Sequence, residues 1–313
     1  MENAEFDVPI LFIIFKRDYT AIEVFKKIRE VKPKKLYVAA DGPRNLQEKA
    51  RCDKTREIIN QVDWECELHC MFREENLGCK YGPYTSISWF FEHEEGIILE
   101  DDCVPDLTFF PFAKDMLGKY RYDERVGMIA GHSEVSIPLK TSYVFSRFKA
   151  CWGWATWKRA WKYIELRLHD YRNEVAPLMV YDQQRVVHWH TALDLIAQDK
   201  VAAWDWPWYF SLAAQSQLCI FPCKNLISNI GFGDEGTHCL GEPPMEAIVS
   251  YSLDYPLVEP KTVIVDWAFE KEFEKGLTMG MESSLSKKKK KKRLFASITK
   301  KLRRLAHRLS DNQ

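Results

Sequence analysis

The chain has 313 residues, of which 46% are hydrophobic and 13% aromatic, enough for one large domain or two smaller ones with a substantial core. Its 14 glycines and 14 prolines are too few for a fibrous or largely disordered protein. The net charge of zero conceals two opposed parts, because residues 287–313 hold twelve Lys or Arg and one Asp. That segment therefore carries +11 and the remainder −11, and we consider them separately.

In the first hundred residues, strand and helix patterns alternate. Apolar runs predict strands at residues 8–15, 36–40, 66–72 and 96–100. Helices are predicted between them, at residues 21–31, 47–61 and 84–91. Repeated strand–helix–strand units are typical of a parallel sheet with right-handed crossovers, so we expect an α/β fold.

After residue 102 the pattern becomes irregular. A helix is predicted over residues 109–120, a short strand over 127–130 and a glycine-containing loop over 231–241. Trp154, Trp157 and Trp161 recur at helical spacing, which usually indicates core packing. We expect packing for Trp157 and Trp161, and leave Trp152 and Trp154 open.

Cysteine usage and the N-terminus indicate the compartment. The nine cysteines include no CxxC pair, and Cys66/Cys70 and Cys219/Cys223 lack the partners that a zinc site requires. Reduced thiols are the expectation. The chain begins without a basic segment, and its first apolar run is too short for a signal peptide or a membrane span. We therefore expect a cytoplasmic protein.

Three adjacent carboxylates, Glu100, Asp101 and Asp102, follow the apolar run at residues 96–99. In α/β folds, ligands bind at the carboxyl ends of the strands. Clustered acids repel one another unless a cation lies among them, and their hard oxygens favour Mg²⁺ or Mn²⁺. The triplet predicts a cation site suited to a diphosphate, with a solvated acidic turn as the alternative.

Four segments in a fixed order carry a family resemblance. They comprise residues 8–11 with Lys16-Arg17, Ala40-Asp41-Gly42, residues 97–102 with Pro105 and Phe109-Phe110, and Trp152-Gly153-Trp154 followed by Trp204-Asp205. Over about residues 8 to 240 the chain resembles the GT-A-fold glycosyltransferases, in the pattern of the N-acetylglucosaminyltransferase I group and its bacterial relatives. The resemblance implies a Rossmann-like, mostly parallel central sheet flanked by helices.

The resemblance also implies roles for individual residues. Arg17 would contact the nucleotide, and Asp41 would hydrogen-bond uracil. Asp101 would contact ribose or the donor sugar, and Asp102 would ligate the metal that bridges the diphosphate. Asp205 matches the general base.

Asp205 lies in an aromatic stretch, Trp204-Asp205-Trp206-Pro207-Trp208-Tyr209. A carboxylate among large aromatic side chains is partly desolvated, which raises its proton affinity and suits a general base. Trp204 and Trp206 would then form a wall against donor or acceptor sugar. The alternative is a core aromatic cluster with a structural Asp.

Three further residues are candidates with a structural alternative each. Glu100 would support the other acids, and Lys80 would reach a phosphate unless it is a solvated lysine. His238, in the loop that follows Asn229, would contact the metal or pyrophosphate unless it is structural. Asp234 and Glu235 in that loop are backup bases.

The predicted function is a metal-dependent inverting glycosyltransferase. It would use Mn²⁺ or Mg²⁺ to move a sugar from a nucleotide-sugar, expected to be a UDP-sugar, to a hydroxyl of a glycan or glycolipid. Inversion is implied by the resemblance. Residues 1–282 would form the transferase domain, with a nucleotide-binding half to about 115 and an acceptor-binding half from about 116.

Two alternatives stay open at this stage. A sugar-nucleotide nucleotidyltransferase would need a glycine-rich basic loop after the first strand, and residues 15–19 contain no glycine. A non-catalytic, membrane-tethered module that binds nucleotide-sugars would show neither transfer nor hydrolysis.

The polybasic linker and tail, residues 283–313, have their own pattern. Leu294, Ile298, Leu302, Leu305 and Leu309 recur at steps of four, four, three and four, which places them on one helical face. Basic residues cover the remainder. The pattern predicts an amphipathic helix on an anionic membrane surface, at the inner face of the cytoplasmic membrane, unless the tail is solvated and disordered. Nucleic acid is a weaker candidate because the tail has few aromatic residues for base stacking.

Overall fold

The computed structural model describes residues 6–133, 135, 137–168, 186–231 and 248–275. Eight strands of this part form one sheet in the order β3-β2-β1-β4-β8-β6-β9-β7. They are β1 (Ile10–Ile14), β2 (Lys35–Ala40), β3 (Glu67–Phe72), β4 (Glu95–Glu100), β6 (Val126–Ala130), β7 (Tyr143–Ser146), β8 (Trp154–Trp157) and β9 (Leu218–Pro222). A second, two-stranded sheet pairs β5 (Cys103–Pro105) with β10 (Ile227–Asn229).

Helices flank the central sheet, which confirms the expected α/β fold class. They are α1 (Asp18–Val31), α2 (Leu46–Arg56), α3 (Gly78–Phe90), α4 (Phe109–Lys119), α5 (Lys158–Trp161), α6 (Val186–Ala197) and α7 (Asp205–Ala214), with a 3₁₀ turn at Glu57–Gln61. The helix predicted over residues 47–61 thus ends at Arg56 and continues as that turn.

Strand β4 separates two halves of the sheet. On one side, β3, β2, β1 and β4 run parallel. On the other, β4 pairs antiparallel with β8, which pairs antiparallel with β6. Beyond them, β6 and β9 are parallel, and β9 and β7 antiparallel. Four of the seven pairings among these strands are therefore parallel.

The core forms where the apolar strands meet amphipathic helices. Ile10, Leu11 and Phe12 of β1 are fully buried, as expected for a central strand of a parallel sheet. Helix α1 contributes Ala21, Val24, Phe25 and Ile28, whose spacing of three, one and three places them on one face.

The tryptophan-rich stretch is a strand followed by one helical turn. Trp154 and Trp157 belong to β8 and are 0% and 1% exposed, and Trp161 ends α5. Packing of Trp157 and Trp161 in the core is confirmed. The spacing of the tryptophans fits a helix, but residues 154–157 form the strand β8. Gly153 adopts a φ of +56°, and a Cβ atom there would lie 2.4 Å from Ile227 Cδ1. Glycine is therefore required at position 153, where the Ile227 side chain packs against the backbone.

The described residues up to Glu270 belong to one compact unit, and a second unit begins at Lys271. The predicted amphipathic tail lies outside the described residues. Within those residues, helices of the length and hydrophobicity needed to cross a membrane are absent. The eight cysteines that the structure describes are free thiols.

Candidate active site

The acidic triplet lies at the carboxyl end of β4, beside the carboxyl end of β1. Parallel pairing of these strands aligns Ile13 with Glu100. Arg17 follows β1 and immediately precedes α1. The fold therefore brings Arg17 and the acids together at the edge where α/β sheets bind ligands.

Arg17 bridges Asp101 and Asp102. Its Nη2 donates to Asp101 Oδ1 and, at 2.7 Å, to Asp102 Oδ2. The Phe15 amide donates to the other Asp101 oxygen at 3.1 Å. Burial disfavours the charged guanidinium, but the two carboxylates outweigh burial and raise the pKa of Arg17. Asp101 is 4% exposed, so this network fixes it rigidly.

The carboxyl groups at this edge disfavour one another's ionisation even with Arg17 beside them. Burial, followed by the charges of Asp102 and Asp205, raises the pKa of Glu100 to about 8. Burial also raises the pKa of Asp101 to about 6, although Arg17 opposes the shift. One guanidinium does not neutralise this many carboxyl groups, so the edge favours a further cation.

Gly231 covers Asp102. Antiparallel pairing of β5 and β10 aligns Cys103 with Asn229, and the Ile230 amide donates to the Asp102 carbonyl at 2.9 Å. A Cβ atom on Gly231 would lie 2.0 Å from Asp102 Oδ2 and 2.9 Å from Arg17 Nη1. The sequence indicated only a loop beginning here, and a glycine two residues after the end of β10 was the signal available.

Asp205 is the first residue of α7, and the structure brings it within electrostatic reach of the acids. Its charge adds to burial in raising the pKa of Glu100 and of the Cys79 and Cys151 thiols. Cys79 lies in the first turn of α3, and the charges of Glu100 and Asp102 also raise the pKa of its thiol. Helix α3 therefore begins beside the same acids.

The two predicted wall tryptophans have different environments. Trp204 is 3% exposed and stacks on Trp154, with ring centroids 5.5 Å apart, so it belongs to the core. Trp206 is half-buried and contacts Trp189 and Tyr209 at centroid distances of 6.0 and 6.3 Å. Of the two, Trp206 offers the larger surface to a ligand.

Asp41 follows β2 and caps α3. Its Oδ2 accepts hydrogen bonds from the Leu77 and Gly78 amides at 3.1 and 2.9 Å, and its Oδ1 accepts from the Leu77 amide at 2.9 Å. The Gly42 amide donates to Oδ1 at 3.0 Å. The carboxylate thus orders the start of the helix that carries Cys79 and Lys80.

Lys80 is 6% exposed, and its ammonium group pairs with Asp199. This contact, rather than a solvated lysine, is what the structure shows. His238, Asp234 and Glu235 lie outside the described residues.

The acids meet only some of the requirements of a site for a divalent metal ion. The described ranges contain no group of three His, Cys, Asp or Glu side chains arranged to hold a metal. However, in the described part of the chain Asp102 Oδ1 accepts only a weak hydrogen bond, from the Cys103 thiol at 3.4 Å. Hard cations prefer carboxylate oxygens as ligands, and this oxygen could serve as one. Mg²⁺ is commonly held by one or two carboxylates together with water and substrate phosphates, and Asp102 suits that mode.

No protein-family model and no curated protein sequence matches the chain. Among solved structures, it is similar to residues 1–349 of S. aureus TarS, with a TM-score of 0.41 and 11% identity over 70% of this chain and 59% of that one. It is also similar to GalNAc-T7 solved with UDP, GalNAc and Mn²⁺, with a TM-score of 0.39 and 9% identity over 69% of this chain and 42% of that one.

Mouse xyloside xylosyltransferase 1 matches with a TM-score of 0.36 and 9% identity over 69% of this chain and 84% of that one. The chain thus spans less than two thirds of the TarS and GalNAc-T7 chains. At these values the likeness carries no conclusion about function.

Proposed function

We propose that this protein is a metal-dependent, inverting glycosyltransferase that uses a nucleotide-sugar, preferentially a UDP-sugar. The acceptor would be a hydroxyl group of a glycan or glycolipid. The observation that carries the proposal is the acid edge, formed by Glu100, Asp101 and Asp102 at the end of β4. Asp101 is buried and the other two are partly buried, all three share one guanidinium, that of Arg17, and Asp205 lies within electrostatic reach.

Release of a nucleoside diphosphate from the sugar C1 requires that its charge be neutralised. A divalent ion on Asp102, when bound, supplies that neutralisation. Arg17 holds the Asp101 and Asp102 carboxylates in fixed orientations, and the Phe15 amide fixes Asp101 from its other oxygen. Asp101 is proposed to contact the ribose or sugar of the donor, and Glu100 to support it from the end of β4.

The attacking hydroxyl must lose a proton as its oxygen bonds to C1 and the bond from C1 to the diphosphate breaks. Asp205 is the group proposed to accept that proton. It comes from α7, whereas the acids lie at the carboxyl end of β4, so the proposal assigns proton acceptance and leaving-group binding to two different parts of the fold. The half-buried ring of Trp206, next in sequence, offers an apolar surface for a sugar ring.

The test is a thermal-shift screen of nucleotide-sugars with and without Mn²⁺. We expect UDP-sugars to raise the unfolding midpoint when Mn²⁺ is present, because ligands that bind the folded state stabilise it. Asp102→Asn should remove most of the increase in the unfolding midpoint that depends on Mn²⁺. An unchanged midpoint with every nucleotide-sugar and metal would contradict the proposal.

We further propose that residues 283–313 attach the protein peripherally to an anionic membrane, which would place the enzyme near a lipid-linked or envelope glycan acceptor. Support comes from the +11 charge of residues 287–313 and from the apolar spacing described above.

A further inference from the structure

Asp199 occupies a backbone position that normally favours glycine. It follows α6 with a φ of +55°. Its amide donates to the Ile196 carbonyl at 2.9 Å, and the next amide, of Lys200, donates to the Leu195 carbonyl at 2.8 Å. This pair of hydrogen bonds is the Schellman helix end, in which the left-handed residue is usually Gly and sometimes Asn.

An aspartate at this position is unfavourable for two local reasons. A side chain in the left-handed region is strained relative to glycine. In addition, the carboxylate lies at the carboxyl end of α6, where the helix dipole disfavours negative charge. A residue that conflicts with both local preferences is expected to be compensated by a contact elsewhere.

That contact is the ion pair with Lys80, which spans 119 residues of sequence. The Lys80 side chain is 7% exposed, whereas that of Asp199 is 42% exposed. A buried ammonium group requires a counter-charge, and Asp199 provides it. The interaction therefore joins the first turn of α3 to the end of α6.

The ion pair lies at one end of the segment that leads to Asp205. At the other end, Trp204 stacks on Trp154 of β8. On the opposite side of the pair, α3 is itself fixed by the Asp41 cap at the Leu77 and Gly78 amides. Residues 200–203 therefore connect Asp199, which is paired with α3, to Trp204, which packs on the central sheet immediately before Asp205.

We infer that the Lys80–Asp199 ion pair is a positioning clasp that sets where the Asp205 carboxylate lies relative to the acids at the carboxyl end of β4. The inference rests on the proposed function for the role of Asp205. It gives Lys80 a positioning task in place of a contact with the donor phosphate.

The experiment compares Asp199→Gly and Asp199→Asn with the double variant Lys80→Met/Asp199→Gly. Glycine and asparagine suit the left-handed position, so the helix end is preserved, and the double variant leaves neither charge unpaired. The matched control is Lys32→Gly, which changes a left-handed residue (φ +52°) at the end of α1.

The clasp predicts that kcat falls about 10- to 100-fold in all three Asp199 variants, because small misplacements of reacting groups are costly. The Kd for UDP with Mn²⁺ should stay within about twofold of wild type, and Lys32→Gly should keep full activity. Lys80 contacting phosphate would instead weaken UDP binding in the double variant and spare kcat in Asp199→Asn, which would overturn the inference. Unchanged kcat in all variants would overturn it too.

A second measurement separates this inference from the proposed function. Amide hydrogen exchange over residues 200–206 should accelerate in Asp199→Asn, and not in Lys32→Gly, whether or not a donor has been identified. A wild-type protein that transfers no sugar would refute the proposed function, while the exchange result would still test the clasp. Unchanged exchange over residues 200–206 would refute the clasp.

Discussion

Gly231 lies against the Asp102 carboxylate, where a Cβ atom would come within 2.0 Å of Oδ2. We expect Gly231→Ala to displace either the segment or the carboxylate. Because the substitution acts on the proposed metal ligand, the Kd for UDP with Mn²⁺ should rise at least about tenfold, or about 1.4 kcal/mol. Isothermal titration calorimetry measures the change.

The control for this substitution is Gly118→Ala in α4, where an added Cβ atom would meet nothing within 4 Å. Alanine is preferred to glycine inside a helix, so the control should gain about 0.5–1 kcal/mol of unfolding free energy. Its affinity for UDP should be unchanged. Wild-type affinity in Gly231→Ala would show that the close approach to Asp102 is not important for the donor.

Asp205→Asn removes the proposed proton acceptor while keeping the size and shape of the side chain. We expect transfer to fall about 10²- to 10⁴-fold, the usual contribution of a general base, and donor binding to persist. The initial rate of transfer tests the expected fall in activity. The Kd for UDP with Mn²⁺, measured on the same preparation, tests whether donor binding persists. Wild-type turnover by this variant would remove Asp205 from the mechanism.

Lys149 is a buried cation, and its ammonium group donates to the Arg147 and Gln217 carbonyls. Burial lowers its pKa from 10.5 to about 8. Between these values the unfolded chain binds more protons than the folded one, so this group makes stability rise with pH above about 8.

Relative to Lys149→Met, the wild-type protein should gain unfolding free energy between pH 8 and 9, at a rate that approaches about 1.4 kcal/mol per pH unit. Urea denaturation at several pH values measures the difference. Parallel pH profiles for the two proteins would contradict the prediction.

At the scale of whole elements, α2 and α3 offer a matched pair of helix caps. Asp41 caps α3 at the acid edge, and the Asn45 side chain caps α2 by accepting from the Glu48 amide at 3.0 Å. We expect Asp41→Ala and Asn45→Ala each to cost about 1 kcal/mol of unfolding free energy.

Only Asp41→Ala should also reduce kcat, since α3 carries Lys80 and begins beside the acids. Denaturant unfolding and steady-state kinetics on both variants test this difference. Equal effects on kcat would mean that the order of α3 does not reach the site.

The elements that could be predicted from sequence are those with a self-contained signal. Continuous apolar runs located β1, β2 and β4, and the acids were placed at the sheet edge because they directly follow such a run. Strand β8 was missed because Trp154 and Trp157 are three residues apart, a spacing that also fits a helix. Strands β7 and β9 were missed because they pair across long stretches of chain.

Two features of the site could not be predicted from the sequence either. The pairing of Lys80 with Asp199 and the approach of Gly231 to Asp102 depend on tertiary contacts between distant segments. Sequence periodicity carries no information about such contacts.

At the scale of the whole molecule, the C-terminal segment can be tested separately from the fold. We expect a chain ending at Ser286 to lose cosedimentation with vesicles that contain phosphatidylserine, because it loses the +11 charge and the apolar face. Each basic residue near the surface contributes about 1 kcal/mol at most. The full chain should bind these vesicles less at high salt, and should bind phosphatidylcholine vesicles weakly. Unchanged cosedimentation after truncation would rule out this segment as the attachment site.

Strand β4 pairs with an earlier strand on one edge and a later strand on the other. During synthesis it can join β1 at once, but its second edge has no partner until Trp154–Trp157 leaves the ribosome. An exposed apolar strand edge recruits other chains and promotes aggregation. Charged residues flanking such a strand act as gatekeepers against that outcome. The acids proposed to serve the donor in the finished enzyme are therefore expected to protect the nascent chain as well.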